Sequence, residues 1–236
     1  MSTLWELMRD CIPDDHARQV TSRYYLDEAM RSPGAPERVV DLGCGRGTSA
    51  GLFRAHDPSV HWTGVDIPYS PEASQHRPGA DPVVHFDGVN LPFRSDGVPL
   101  IYSHQVFEHV ARPRDLLREV GRVLRPGGLF IGSTSQFEPY HSYSLWNYTP
   151  YGFRMLVEEA GLALEEIRPS LDGVTLIMRA YHPSGKQRYG RYWSEESPLN
   201  TEIDTWARTN RRRTALVNLR KLTFCGQFAF RVRKRA

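Results

Sequence analysis

Residues 39–50 read VVDLGCGRGTSA, with three glycines in five residues directly behind an apolar, β-branched run. A strand that runs through a Gly-rich turn into a helix presents backbone to a ligand, most often a nucleotide. Gly43, Gly45 and Gly47 carry no Cβ, so the chain here approaches a ligand closely. The spacing departs from the dinucleotide fingerprint G-x-G-x-x-G. The third glycine comes one residue early, and Thr48 stands in its place. No G-K-[ST] follows, which excludes a phosphate-binding P-loop. Asp41 stands just ahead of the loop, where its charge repels a pyrophosphate. The loop therefore suits a cofactor that is positively charged there, or at least carries no phosphate.

Outward from this loop the chain alternates strand and helix patterns. Strands are predicted at 38–43, 61–67, 83–88, 98–106, 129–135, 162–170 and 226–234. The clearest helix is predicted over 112–128. There Leu116, Leu117, Val120, Val123 and Leu124 recur at spacings of three and four, and Pro126-Gly127-Gly128 ends the run. A second helix starts at Thr149 as N-cap with Pro150 at its first position, and Gly161 closes it. Residues 171–200 read as irregular and aromatic, and 201–220 as one polar, Arg-rich helix. The connection 67–83, with four prolines, reads as a loop. This order predicts an α/β fold: a doubly wound, seven-stranded, mostly parallel sheet. It divides into an N-terminal helical cap over 1–36, a core over 37–170 and 224–236, and an insertion over 171–223.

Two further acids stand at strand ends. Asp66 closes the second strand, placed to accept from ribose hydroxyls. Asp87 closes the third ahead of Gly88, placed to accept from an exocyclic amine. Loop and acids together suit a cofactor with a sulfonium, an amino-acid tail, a ribose and an adenine. Without a ligand, Gly43 and Gly45 are a tight strand-to-helix turn and Asp87 an ordinary turn residue. Cys44 is then a small apolar filler.

Five segments carry a family resemblance: VVDLGCGRG (39–47), GVDI (64–67), FDG (86–88), SHQVFEHV (103–110) and LREVGRVLRPGGLFIGST (117–134). With them the chain resembles the class I S-adenosylmethionine-dependent methyltransferases, in particular the group around the type 11 domain. The resemblance covers roughly 36–170 and the last strand. It implies a Rossmann-like methyltransferase fold and S-adenosylmethionine as cofactor. It assigns Asp41, Gly43, Cys44 (through its backbone), Gly45, Asp66, Ile67, Asp87 and Gly88 to cofactor binding. Ser103 or His104 lines the methyl end. The aromatic segment 137–153 resembles a pattern of bacterial members from sugar and secondary-metabolite clusters. Tyr140, His141, Trp146 and Tyr148 are accordingly the substrate-binding candidates. The insertion would form a lid. His104 and His141 are the candidates for a base or for orienting the acceptor.

The implied reaction is methyl transfer to a small-molecule hydroxyl, with nucleic-acid methylation or a non-catalytic scaffold as alternatives. The nucleic-acid alternative rests on charge. Net charge is only +3, but 201–236 hold eight Arg and two Lys against Glu202 and Asp204. Glu108 and His109 could serve a metal, but no further ligand lies at suitable spacing, so none is predicted. Cys11, Cys44 and Cys225 suggest neither a disulfide framework nor a zinc site and fit a reducing cytosol. No membrane segment or secretory start is read, and the chain would act as a monomer or homodimer.

Overall fold

The computed structural model describes residues 2–69 and 81–235. Most of the proline-rich connection lies outside these residues. The sheet has seven strands: β1 (Arg38–Leu42), β2 (His61–Asp66), β3 (Val83–His85), β4 (Val98–His104), β5 (Leu124–Ser135), β6 (Leu162–Pro169) and β7 (Gln227–Lys234). Their spatial order is β3-β2-β1-β4-β5-β7-β6. All neighbouring pairs are parallel except those of β7, which runs antiparallel to both β5 and β6. The strand order reverses between β1 and β4, so a crevice opens beyond their carboxyl ends.

Period-two alternation divides each central strand between two cores. Val40, Leu42, Ile101 and Phe130 face one layer. That layer is closed by α4 (Pro113–Val123), α5 (Pro150–Glu159) and α9 (Thr214–Phe224). Val39, Leu100, Tyr102 and Ile131 face the other, closed by α2 (Ser22–Arg31) and α3 (Ser49–Arg54). Buried apolar surface on both faces is what lets a parallel sheet exist. The start of α5 follows the sequence signal: Thr149 Oγ1 accepts from the Gly152 amide at 3.0 Å, with Pro150 at the first position.

Three expectations need correction. The 112–128 helix stops at Val123, and Pro126-Gly127-Gly128 lies within β5. Leu124 turns to extended backbone, and a register shift between Val98 and Leu100 takes up the glycines. Residues 171–200 contain α6 (Gly173–Tyr181) and the short α7 (Gly185–Tyr189). Asp172 caps α6 by accepting from the Thr175 amide at 2.7 Å, a signal legible in the sequence. The single Arg-rich helix is two, α8 (Pro198–Thr209) and α9. Arg211 adopts φ +48 and the Arg212 amide reaches back to the Ala207 carbonyl, which closes α8.

The insertion packs on the N-terminal segment, which includes the first helix, α1 (Ser2–Met8). Asn218 donates to the Pro13 and His16 carbonyls, and Arg213 pairs with Asp14 at 3.1 Å. Lys221 is fully buried and donates to the Ala17 carbonyl, Glu196 and Asp204 at 2.6–3.1 Å. Arg231, Arg233 and Lys234 also pair with carboxylates. Five of the ten cations of 201–236 thus pair with carboxylates of the fold, Lys221 inside it and Arg213 and Arg233 at its surface. No helix among the described residues is long and apolar enough to cross a membrane.

Candidate active site

A cavity of about 530 Å³ opens at the switch point. Its size suits a cofactor-sized ligand. One wall comes from the ends of β1 and β2 and from the loop after β3: Gly43, Gly45, Asp66, Ile67, Asp87 and Gly88. The other comes from the turn after β4 and the loop after β5, with His104, Gln105, His109, Arg112, His141 and Tyr143 among its residues.

The glycine loop is built by left-handed backbone, with φ +72, +50 and +74 at Gly43, Gly45 and Gly47. Its amides are turned inward. Gly43 and Cys44 both donate to the Val65 carbonyl, at 2.7 and 3.2 Å, and Gly47 donates to the Cys44 carbonyl at 2.8 Å. Gly45 donates to Asp66 Oδ2 at 2.7 Å. A phosphate cradle needs free amides pointing at the ligand, and four of the loop's are already in use. The departure from the dinucleotide spacing therefore has a structural counterpart.

Asp66 lines the cavity, its Oδ1 accepting from the Ile67 amide at 2.7 Å. Ile67 is a partly exposed apolar side chain beside it. Asp87 Oδ1 accepts from the Val89 and Asn90 amides, and Oδ2 from Asn90 Nδ2 at 2.6 Å. The Asn90 side chain and then these amides hold its carboxyl below the usual range. Asp87 is thus both a turn residue and a lining residue.

Comparison with known proteins fits this geometry. A family profile described as "Methyltransferase domain" matches residues 40–132. These residues belong to the methyltransferase domain family. The matched segment runs from β1 into β5 and so contains the whole glycine-loop wall. Over 103 residues the chain is 38% identical to a malonyl-[acyl-carrier protein] O-methyltransferase of Methylococcus capsulatus, covering 42% of this chain and 38% of that protein. The chain spans 34% to 57% of the length of the curated relatives it matches. Among solved structures it is similar to an S-adenosylmethionine-dependent methyltransferase of Mesorhizobium loti. The TM-score is 0.54 and the identity 17%, covering 90% of this chain and 97% of that one. It is also similar to the [4+2]-cyclase SpnF, with a TM-score of 0.58 and 14% identity over 99% and 95% of the two chains. At such identities the likeness concerns the fold alone.

Several residues of the methyltransferase domain lie elsewhere than the sequence suggested. Asp41 is buried behind the loop and does not line the cavity. It accepts from the Ser49 hydroxyl, which itself accepts from Trp62 Nε1 at 2.8 Å. Desolvation pushes its pKa up to about 7, against the Ser49 hydrogen bond. Asp41 therefore buttresses the loop and is no fixed charge facing a ligand. Cys44 is buried against Gly64 and Trp62, and burial raises its thiol pKa. Ser103 is fully buried and off the lining, because strand alternation turns it away from the face His104 occupies. His104 Nδ1 sits 2.9 Å from both the Ser22 and Ser133 hydroxyls; the side chain keeps an exposed edge, and partial desolvation by the packed protein around the ring lowers its pKa.

Of the aromatic segment, only His141, Ser142 and Tyr143 line the cavity. Tyr140 is exposed and off the lining. Tyr148 is a buried pin whose hydroxyl donates to the Phe107 carbonyl at 2.9 Å. Trp146 Nε1 donates to the Val110 carbonyl at 2.8 Å. No described residue of 171–223, the segment expected to form a lid, lines the cavity.

Sequence reasoning missed Gln105, Arg112 and Ser142. Gln105 (φ +55) and Ser142 (φ +45) hold left-handed backbone at the cavity edge, a strain that short-range pattern does not reveal. The premise that excluded a metal also fails in space. The fold sets His141 beside Glu108 and His109, with one donor atom from each within 4.8 Å of the others.

Proposed function

We propose that the chain binds S-adenosylmethionine in this cavity and methylates an oxygen of a small molecule, a sugar or natural-product hydroxyl. The observation that carries this reading is the glycine-loop wall. Two carboxylates, Asp66 and Asp87, and an apolar side chain, Ile67, stand beside a loop whose amides point inward. That donor set fits a nucleoside carrying no phosphate. Asp66 would accept from the ribose hydroxyls, Ile67 would pack on the adenine face, and Asp87 would meet the exocyclic amine. Gly43 and Gly45 would lie under the methionine part, and Gly88 would leave room beside the base. The bound cofactor supplies an electrophilic methyl carbon on a sulfonium.

This chain's residues would exclude water from the acceptor and hold it in line, which accounts for much of the barrier reduction in such transfers. His104, neutral near pH 7, has its Nδ1 held by two hydroxyls and is suited to orienting an acceptor or taking its proton. His141 Nδ1 donates to the Pro139 carbonyl at 3.1 Å, which fixes its ring. Support for oxygen comes from the relative named as an O-methyltransferase.

In a second reading the fold serves chemistry other than methyl transfer, since a fold does not by itself fix a function. Incubation with methyl-labelled S-adenosylmethionine and a panel of sugars, phenols and carboxylates separates the two. Label transferred to an acceptor oxygen supports the proposal. Cofactor binding with no transfer to any panel member supports the second reading.

A further inference from the structure

We propose that Glu108, His109 and His141 form a binding site for a first-row divalent metal ion on the acceptor side of the cavity. Two imidazoles and a carboxylate are a donor set for zinc, cobalt, nickel, manganese or iron(II), whereas magnesium and calcium favour oxygen alone. One donor atom from each residue lies within 4.8 Å of the others. His109 and His141 line the cavity, so the positions that three protein ligands leave open would face it.

The placement is over-determined by backbone contacts. Glu108 and His109 lie on a one-turn 3-10 helix after β4, Phe107–His109. His141 lies 32 residues further on, in the loop after β5. That loop is tied down on the turn: the Leu145 and Trp146 amides donate to the Glu108 carbonyl at 2.6 and 3.1 Å. Trp146 Nε1 and the Tyr148 hydroxyl add bonds to the Val110 and Phe107 carbonyls. The His109 and His141 rings consequently meet edge to face at 5.2 Å.

The surrounding hydrogen bonds orient Glu108 and His141. The Pro139 carbonyl accepts from His141 Nδ1, which leaves Nε2 as the nitrogen with a lone pair to give. Thr134 Oγ1 donates to Glu108 Oε2 at 2.8 Å, and Ser135 Oγ lies 3.2 Å from Glu108 Oε1. Ser135 Oγ also lies 2.6 Å from Glu138 Oε2, and Glu138 Oε1 is 3.9 Å from His141 Nδ1. Two carboxylates thus share one hydroxyl. Among the described residues neither pairs with a lysine or arginine. Buried carboxylates are ordinarily paired with a cation or bound to a metal, and Glu108 is fully buried. A divalent ion would bring a positive charge to these two carboxylates.

What the ion does rests on the methyl-transfer reading. It would hold an acceptor through an ionisable oxygen, which restricts acceptors to those offering a hydroxyl or carboxylate that can coordinate.

The test is a titration of the chelator-stripped full chain with cobalt(II), followed by visible absorption, with zinc(II) and magnesium(II) as competitors. One saturable site per chain is expected, displaced by zinc and indifferent to millimolar magnesium. His141→Ala should weaken cobalt binding by more than the roughly 10- to 100-fold that a lost outer-shell partner costs. Glu108→Gln should do the same. Since Glu108 is buried, His141→Ala, in a surface loop, keeps the test independent of folding. Absence of a saturable site in the wild type, or binding unchanged in His141→Ala, overturns the proposal. S-adenosylhomocysteine affinity is measured in parallel. Cobalt binding without it leaves the metal site standing and removes the cofactor reading.

Discussion

The Gly45 amide donates to Asp66 Oδ2 at 2.7 Å, which ties the glycine loop to the carboxylate at the end of the neighbouring strand. One side chain thereby shapes the loop and offers acceptor capacity to the cavity. A hydrogen bond to a charged group contributes about 1.5–3 kcal/mol. Asp66→Ala should therefore weaken S-adenosylhomocysteine binding about 10- to 100-fold and speed hydrogen exchange at Gly45. Asp66→Asn keeps an acceptor for Gly45 and should fall between. Calorimetry showing full affinity in Asp66→Ala would contradict the assignment.

Asp41 gives the protein a pH dependence of stability. Burial beside Asp66 raises its pKa to about 7, while the Ser49 hydroxyl works against the shift, and Tyr102 lies close enough to feel its charge. The unfolded chain releases the proton near pH 4. Between about pH 4 and 7 the folded state thus binds a proton the unfolded state does not, and stability falls as pH rises. The share due to Asp41 is at most about 4 kcal/mol. Urea unfolding at pH 5 and pH 7.5 should show this loss in the wild type and a smaller one in Asp41→Asn. Equal slopes in the two proteins would remove Asp41 from the account.

Gly43 and Gly88 both hold positive φ, yet they should tolerate alanine differently. A Cβ on Gly43 would stand 2.3 Å from Val106 Cγ2, whereas one on Gly88 would meet only Ile67 Cγ2 at 3.6 Å. Gly43→Ala adds overpacking to left-handed strain and should cost about 2–5 kcal/mol. Gly88→Ala carries only the strain, about 1–2 kcal/mol. Thermal denaturation that ranks them the other way would show that the loop packs differently.

Tyr148 belongs to the scaffold. Tyr148→Phe removes one of the two donors to the Phe107 carbonyl, leaving the Val110 amide at 3.2 Å, and should lower unfolding free energy by about 0.5–1.5 kcal/mol. Cofactor affinity should stay within twofold. A tenfold fall in affinity with unchanged stability would return Tyr148 to the ligand wall.

His104 should titrate below the ordinary histidine value, because the protein packed around its ring disfavours the charged form even though the side chain keeps an exposed edge. Its ring proton resonance, identified by loss in His104→Ala, should have its midpoint below 6.5. A midpoint above that value would mean that the imidazolium is stabilised and that the ring is unsuited to accept a proton at neutral pH.

What the sequence revealed was local. The glycine loop, the acids at the ends of β2 and β3 and the Thr149-Pro150 start of α5 each depend on neighbours a few residues away. Period-two and period-3.6 patterns carry that information directly. Residues 171–200 were harder, since short helices such as α7 owe their stability to packing rather than propensity. The aromatic segment misled because composition does not say which way a ring points. Tyr148 and Trp146 fasten the loop through backbone carbonyls, and His141 reaches the cavity as a result. The approach of His141 to Glu108 depends on amides of Leu145 and Trp146 meeting one carbonyl, which no spacing rule anticipates.

The central claim is that the cavity takes S-adenosylmethionine. Isothermal titration of the intact chain with S-adenosylhomocysteine tests it most directly. One site per chain is expected, with affinity reduced at least tenfold in Asp66→Ala. No measurable heat at millimolar ligand, with the protein folded by circular dichroism, would contradict the claim.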